Sequence, residues 1–446
     1  MKKHFVAIVA AVLLLAAAAQ AEELTLDKAI DLAMQLNQSV KQADYQASSS
    51  DWNFAKSFSA WLPRVVYDEN WSRLDLNSYT AARDEANLIN RLAPGTSAPV
   101  YRDSYSKTLG VTQPIFNGIG EWVAIDSAYL NRMGARLADE DTRLQVVLNV
   151  KEAYYNVLKT HALAGVARES LNLAHESLRM YQSRLAVGMS TPSDVLRWEA
   201  QEASADGALA AAENSLALAK MQLATLIGGA VEAEYTLPAI DLQVADSDLG
   251  RVQEATLAGV KTPLPIKVHP AVKAMETNND LAKQQTVGAV GRFLPRINFL
   301  YNYNWTTNDQ IQPNGMTSWV MGIGVEIPLF QGGSAITGVG QSVELQQATA
   351  ESVELFERTF LQRAHAAQMN LHSAALRVVA GRKGVVAAEM DLAIINKRAE
   401  IGTATTLDQL DSQLAYLQSK SDLIGAVGDF RSALAEWDYV TAKAKN

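Results

Sequence analysis

Asp408 and Asp411 stand three residues apart in "TLDQLD", and on a helix that spacing puts both carboxylates on one face. Paired acids raise the local cation concentration and can hold a divalent ion through oxygen. Asp408 also suits the positive end of a helix dipole, a plainer role that the spacing leaves open. Asp194 lies 214 residues earlier in "TPSDVLR", with Arg197 in place of the second acid, so that version carries mixed charge. His365 and His372 are seven apart on one prospective helix face but lack neighbouring carboxylates, a poor donor set for a metal. His161 falls within an apolar helical stripe and reads as a packed core residue. With no Cys in 446 residues, thiolate metal sites, disulfides and cysteine nucleophiles are excluded. HExxH, P-loop and GxSxG motifs are absent, and "GIG" at 118–120 opens a helix with no nucleotide-binding unit before it. Neither an enzyme, a cofactor nor a metal site is expected.

The elements that carry these acids occur twice. "RLAVGMSTPSDVL" at 184–196 is echoed by "RAEIGTATTLDQL" at 398–410, and "QPIFNG" at 113–118 by "IPLFQG" at 327–332, both at an offset of 214. "SVK" at 39–41 and "LPR" at 62–64 recur as "AVK" at 271–273 and "LPR" at 294–296, at an offset of 232. The chain is therefore a tandem of two halves. The first half carries 18 extra residues between "LPR" and the "PxF" motif, expected to form an extended loop near 75–102.

Phe116 to Gly188 and Phe330 to Gly402 are both separated by 72 residues. Within the first interval Val147, Val150, Tyr154, Val157, His161, Ala164, Ala167, Leu171, Ala174, Leu178, Tyr181 and Leu185 keep coiled-coil spacing. Leu361, Ala364, Leu371, Ala375, Val378, Val385, Ala388, Leu392, Ile395 and Ala399 repeat it in the second. Some 70 helical residues would run about 100 Å. A second helix follows each turn, through Leu209, Ala212, Leu216, Ala219, Leu223 and Leu226, and through Leu423, Ala426, Phe430, Ala433, Trp437 and Val440. Gly188 and Gly402 suit the left-handed backbone that ends a helix, so each half is a long helix, a tight reversal and a returning helix.

Between "LPR" and "PxF" the period drops to two. Ile297, Phe299, Tyr301, Tyr303 and Trp305 alternate with Asn298, Asn302 and Asn304, and Trp319, Met321, Ile323, Val325 and Ile327 alternate with Val320, Gly322, Gly324 and Glu326. Aromatic-ended alternation over ~9–11 residues is the pattern of a membrane β-strand. In the first half, 64–74 and 103–113 are the equivalent strands, with Glu69 and Lys107 interrupting the apolar positions. Four strands cannot close a barrel in lipid, so the chain is expected to contribute to an oligomeric one.

Lys2 and Lys3, the apolar run Phe5–Ala19 and "AQA" at 19–21 have the form of a secretory signal ending at Ala21. Its removal would take two Lys and no acid, moving the formal charge from -9 to -11, which argues against nucleic acid as a partner.

The opening "LTLDKAIDLAMQLNQSVK", the two "LPR" segments, the "PIFNG" and "PLFQG" junctions and the "VGM" and "IGT" turns together resemble TolC-like outer membrane efflux proteins over essentially the whole mature chain. That resemblance implies a homotrimer in the outer membrane of a Gram-negative bacterium: a 12-stranded β-barrel continuous with a periplasmic α-helical coiled-coil barrel. It implies residues 22–228 as a first repeat, with a β-hairpin at about 64–113 and a helical hairpin at about 118–228. An equatorial linker then spans 229–270, and a second repeat 271–446, with hairpins at about 296–327 and 332–441. Such a channel passes solutes from a periplasmic adaptor and an inner membrane pump of RND or ABC type to the exterior. By the same resemblance Arg184, Val187, Gly188, Met189, Arg398, Ile401, Gly402 and Thr403 would form adaptor-docking turns, although capping alone also accounts for both glycines. Asp194, Asp408 and Asp411 would line the periplasmic aperture as rings of charge. The family's latching Arg in the second turn is Ala404 here, which puts a latch of that design in doubt. A periplasmic adaptor or coiled-coil scaffold would also use long helical hairpins, but not two in tandem with aromatic-ended strands.

Overall fold

The computed structural model describes residues 24–97, 100–229, 238–241, 251–252, 266–307 and 316–443. The expected signal segment and most of the expected linker at 229–270 lie outside the described residues. In chain order the elements are α1 (Leu26–Leu36), α2 (Gln38–Ser57), β1 (Arg64–Arg73), α3 (Leu76–Leu92), β2 (Asp103–Asn117), α4 (Gly120–Ala186), α5 (Pro192–Leu226), α6 (Pro270–Gly291), β3 (Arg296–Thr307), β4 (Met316–Glu326), α7 (Ser334–Glu400) and α8 (Thr406–Val440). The equal intervals in sequence correspond to equal helices: α4 and α7 have 67 residues each, α5 and α8 have 35 each. No helix among the described residues is long and apolar enough to cross a membrane.

By compactness the chain divides across its repeats, into one unit of Met1–Ala47, Ala135–Met275 and Val353–Asn446 and another of Ser48–Gly134 and Glu276–Ser352. The first unit is helical. Its larger core joins Leu144 and Leu148 of α4 to Phe360, Ala367, Leu371 and Val378 of α7 and to Leu423, Val427, Phe430 and Trp437 of α8. A second core sets Ala29 and Ala33 of α1 against Val150, Tyr154 and Val157 of α4 and Ala219 and Leu223 of α5. α8 thus lies between α4 and α7, while α5 rests on α4. The heptad residues Val150, Val157, Ala174 and Tyr181 are buried as their spacing requires.

Two heptad assignments need correction. His161, expected in the core, is exposed, and so is Leu361. Val157 and Ala164 on either side of His161 in the same stripe stay buried, as does Ala364 after Leu361, so each is a single uncovered position and not a slip of the whole stripe. The buried histidine is instead His269, 1% exposed, held between the Tyr439 carbonyl (Nε2 to O 3.0 Å) and the Ala271 N–H, which donates to Nδ1 at 3.2 Å. Burial lowers its pKa, and the arrangement needs a neutral ring.

The second unit contains one four-stranded antiparallel sheet in the order β1-β2-β3-β4, leaving one edge each of β1 and β4 without a partner strand. Direct pairing stacks like with like. Val65, Val111, Tyr301 and Met321 form one cross-sheet row, and Tyr67, Leu109, Tyr303 and Trp319 the next. On the other face Asp68, Thr108, Asn304 and Ser318 align, with Thr108 donating to Asn304 at 2.9 Å. The irregularities of the first repeat explain each other: Glu69 and Lys107 are paired in register and form an ion pair at 3.5 Å, so two charges on the apolar face neutralise one another. β2 continues past the expected end at residue 113 to Asn117, through a bulge between Pro114 and Phe116 that accommodates a proline without a backbone donor.

Residues 75–102 are not a wholly extended loop. Leu76–Leu92 is a 17-residue helix whose cap, Asp75, accepts from Asn77 N–H at 2.9 Å and Ser78 N–H at 3.0 Å. The signals are local: an Asp cap, no Gly or Pro through residue 92, then "PG" at 94–95. Position within a surface insertion masks them in the sequence.

Candidate functional site

Both reversals use the same backbone device. Gly188 and Gly402 each adopt φ of +75°, a left-handed conformation open to glycine at little cost. Met189 N–H reaches the Arg184 carbonyl at 2.8 Å and Gly188 N–H the Leu185 carbonyl at 3.0 Å. Thr403 N–H to Arg398 at 2.8 Å and Gly402 N–H to Ala399 at 3.2 Å repeat the pattern. These paired bonds are a Schellman motif, which uses up carbonyls orphaned at the helix end. Capping therefore accounts for both glycines. It does not account for Val187, Met189 and Ile401, which are 70%, 79% and 74% exposed at the turn tips.

The returning helices also start alike. Thr191 and Thr405 are N-caps of capping boxes whose third residues are Asp194 and Asp408. From there the two copies part. Asp194 accepts through Oδ2 from Thr191 N–H at 3.0 Å, the Thr191 hydroxyl at 2.7 Å and the Ser190 hydroxyl at 3.2 Å, and through Oδ1 from the Thr406 hydroxyl at 2.8 Å. Donation by the Thr191 and Thr406 hydroxyls and the Thr191 N–H holds its pKa down to about 2. Asp408 is exposed; the Thr405 N–H at 2.9 Å and then the Thr405 side chain lower its pKa. Asp411, one turn on, is exposed, and among the described residues no hydrogen bond holds it. Arg197, its counterpart on α5, is exposed too.

The shared arginines also diverge. Arg184 donates from Nη2 to the Ala399 carbonyl at 3.0 Å, capping the end of α7, whereas Arg398 donates to Thr403 in its own turn at 3.2 Å. With Thr406 to Asp194, this makes two direct ties between the reversals. Behind them lies a polar ladder that sequence reasoning missed. Gln409, Ser412 and Gln413 of α8 are buried. Tyr181 donates to Gln409 at 3.2 Å, Gln409 to Asn396 at 3.2 Å, Ser412 to Asp391 at 2.8 Å and Gln413 to Ser177 at 3.3 Å. Val195, Trp198 and Glu199 occupy the matching positions of α5, and there Trp198 stacks on Tyr181 with centroids 5.9 Å apart. The signal was an alignment of α8 with α5, where polar residues replace Val and Trp. His365 and His372 are both exposed on α7, and no three metal-ligating side chains converge among the described residues.

The outer membrane efflux protein family model matches residues 29–229 and 266–437, taking in both reversals and both hairpins. The chain belongs to that family. Its curated relatives include the outer membrane efflux protein BepC of Brucella suis, 25% identical over 84% of this chain and 77% of that one. Outer membrane protein TolC of Escherichia coli is 23% identical over 82% and 78%. Among solved structures, the outer membrane protein VceC of Vibrio cholerae superposes with a TM-score of 0.75 at 18% identity, covering 93% of this chain and 95% of that one. This likeness shows the fold to be that of an outer membrane channel. The protein is an outer membrane efflux channel, as family membership and its relatives' names agree.

Proposed function

We propose that three copies of this chain close one exit duct, a 12-stranded barrel continuous with a 12-helix tunnel, through which solutes pass outward from a periplasmic adaptor and an inner membrane pump. The observation that carries the reading is the open four-stranded sheet joined in one chain to two helical hairpins of equal length. Unpaired strand edges are very costly in lipid, so β1 and β4 need partners that three copies of a four-stranded sheet supply. In this reading the two repeats are 22–228 and 271–446, about an equatorial linker at 229–270. TolC-like channels work as such trimers with adaptors and pumps, and the likeness to them supports these partners.

The exposed Val187, Met189 and Ile401, with Arg184, Gly188, Arg398, Gly402 and Thr403 shaping their turns, form the adaptor-docking tips. Asp408 and Asp411 face the narrow end of the duct as stacked carboxylate rings. Asp194 serves as a fastener rather than a pore-lining charge, since with four donors bound it ties the first reversal to Thr406. The tie from Arg184 to the end of α7 performs the joining that Ala404 cannot. Planar bilayers test the reading. Purified protein should insert as discrete channels, and Asp408→Ala with Asp411→Ala should raise single-channel conductance or weaken block by divalent cations. Channels with unchanged conductance and block would remove the two acids from the constriction. Release of the protein in soluble form without detergent would overturn the channel itself.

A further inference from the structure

We infer that α3 is an inter-subunit element: its outward apolar patch, Leu88, Ile89 and Leu92, is covered by a neighbouring copy of this chain at the outer rim of the barrel. The inference rests on the trimeric reading above. α3 begins two residues after β1, an edge strand whose free side requires a strand from another chain, so the helix starts at a subunit boundary. One side of α3 is already covered by its own returning segment: Ser97 donates its N–H to Asn90 at 3.2 Å and its hydroxyl to the Ala86 carbonyl at 2.8 Å. The other side is bare. Leu88, Ile89 and Leu92 are 57%, 41% and 79% exposed on successive turns, with Glu85 bounding the patch toward the helix start.

Lipid is a poor occupant for this patch. Between α3 and the sheet lies a polar crown, where Arg73 pairs with Asp103 at 2.8 Å and Arg102 donates to the Leu74 carbonyl at 3.2 Å, and this marks the end of the apolar band. A second copy suits it. Arg83 and Arg91 balance Asp84 and Glu85, so neighbouring helices meet without net repulsion. The second repeat has only eight residues between β3 and β4, against 29 between β1 and β2.

A chain without cysteine makes the test direct, since Leu92→Cys introduces a single thiol. Labelled with a benzophenone maleimide and irradiated in outer membranes, Leu92→Cys should give adducts at two and three times the chain mass on denaturing gels. Asn87→Cys, exposed and on the far side of the same helix, should give few. Leu88→Ser with Leu92→Ser should lower the temperature at which the detergent-solubilised trimer dissociates, and Asn87→Ser should not. A protein that stays trimeric while Leu92→Cys yields lipid adducts or no interchain product overturns the inference and leaves the trimer standing. A protein that is monomeric in mild detergent, with β1 and β4 variants likewise failing to cross-link, overturns the trimer and the inference with it.

Discussion

The two returning helices are copies in length and cap, yet six of the 35 residues of α5 are buried against sixteen of the 35 of α8. Position explains the difference. α8 has α4 on one side, through Val166, Leu417 and Ile424, and α7 on the other. α5 packs on α4, with Arg168 to Glu213 at 2.5 Å and His175 to Glu202 at 2.6 Å along its exposed flank, and meets α1 near its end through Ala219 and Leu223 and the start of α8 through Thr406. The outermost helices keep apolar residues in the open: Leu196 and Leu218 on α5, Met369, Leu376, Val386 and Met390 on α7. One duplicated hairpin therefore yields an interior helix and an edge helix. Exposed apolar faces of this kind mark interaction surfaces.

Substitution at matched positions gives the sharpest break of that comparison. Phe430→Ala on α8, where the ring is 0% exposed, should cost about 3–5 kcal/mol, and Leu216→Ala, the half-buried counterpart on α5, under about 2 kcal/mol. Urea titration of the helical circular dichroism in detergent measures both. Equal losses would mean that α5 is as fully packed as α8, through the neighbouring subunit. Next comes the polar ladder. Gln413→Ala strands Ser177 and should cost about 1–3 kcal/mol, whereas Glu199→Ala at the matched exposed position should stay within about 0.5 kcal/mol.

The turns themselves should behave alike. Gly188→Ala and Gly402→Ala meet open space but must hold a left-handed backbone, so each should cost about 1–2 kcal/mol. An unequal pair in the same urea assay would show that one tip is constrained by something beyond its own backbone. The smallest effect is on acid tolerance. The Asp194 carboxyl is held below its unfolded value of about 3.9, down to about 2. Its contribution is complete above the unfolded value and disappears as pH falls through the folded one. Thr406→Val removes the second-largest cause and should move the loss upward in pH, read as proteolytic nicking of the first reversal during acid titration. An unshifted profile would mean that the cross-tie does not hold Asp194.

Most of the secondary structure is legible because each device is local. Gly188 and Gly402, Thr191 and Thr405 and the alternating Phe299 to Trp305 announce themselves in a few adjacent residues. Two local signals are nonetheless easily overridden. The Asp75 cap passes for part of a loop because the insertion has no counterpart in the second repeat. His161 passes for core because Val157 and Ala164, its neighbours in the heptad count, are core, and whether one position in a stripe is covered depends on the helices packed against it. Glu69 and Lys107 look like faults in two strands and are one ion pair, a fact that needs the register. The family resemblance is legible in the order of the motifs, and the family match agrees with it.

By itself the sequence determined the duplication, the helix lengths and the chemistry of the two reversals, since periodicity and capping act over a few residues. Only the tertiary structure decided that α8 is enclosed and α5 is not, and that Arg184 and Thr406 join one reversal to the other. Those outcomes depend on which helices become neighbours across more than 200 residues of chain. Two copies with the same local instructions diverge because burial is a property of surroundings.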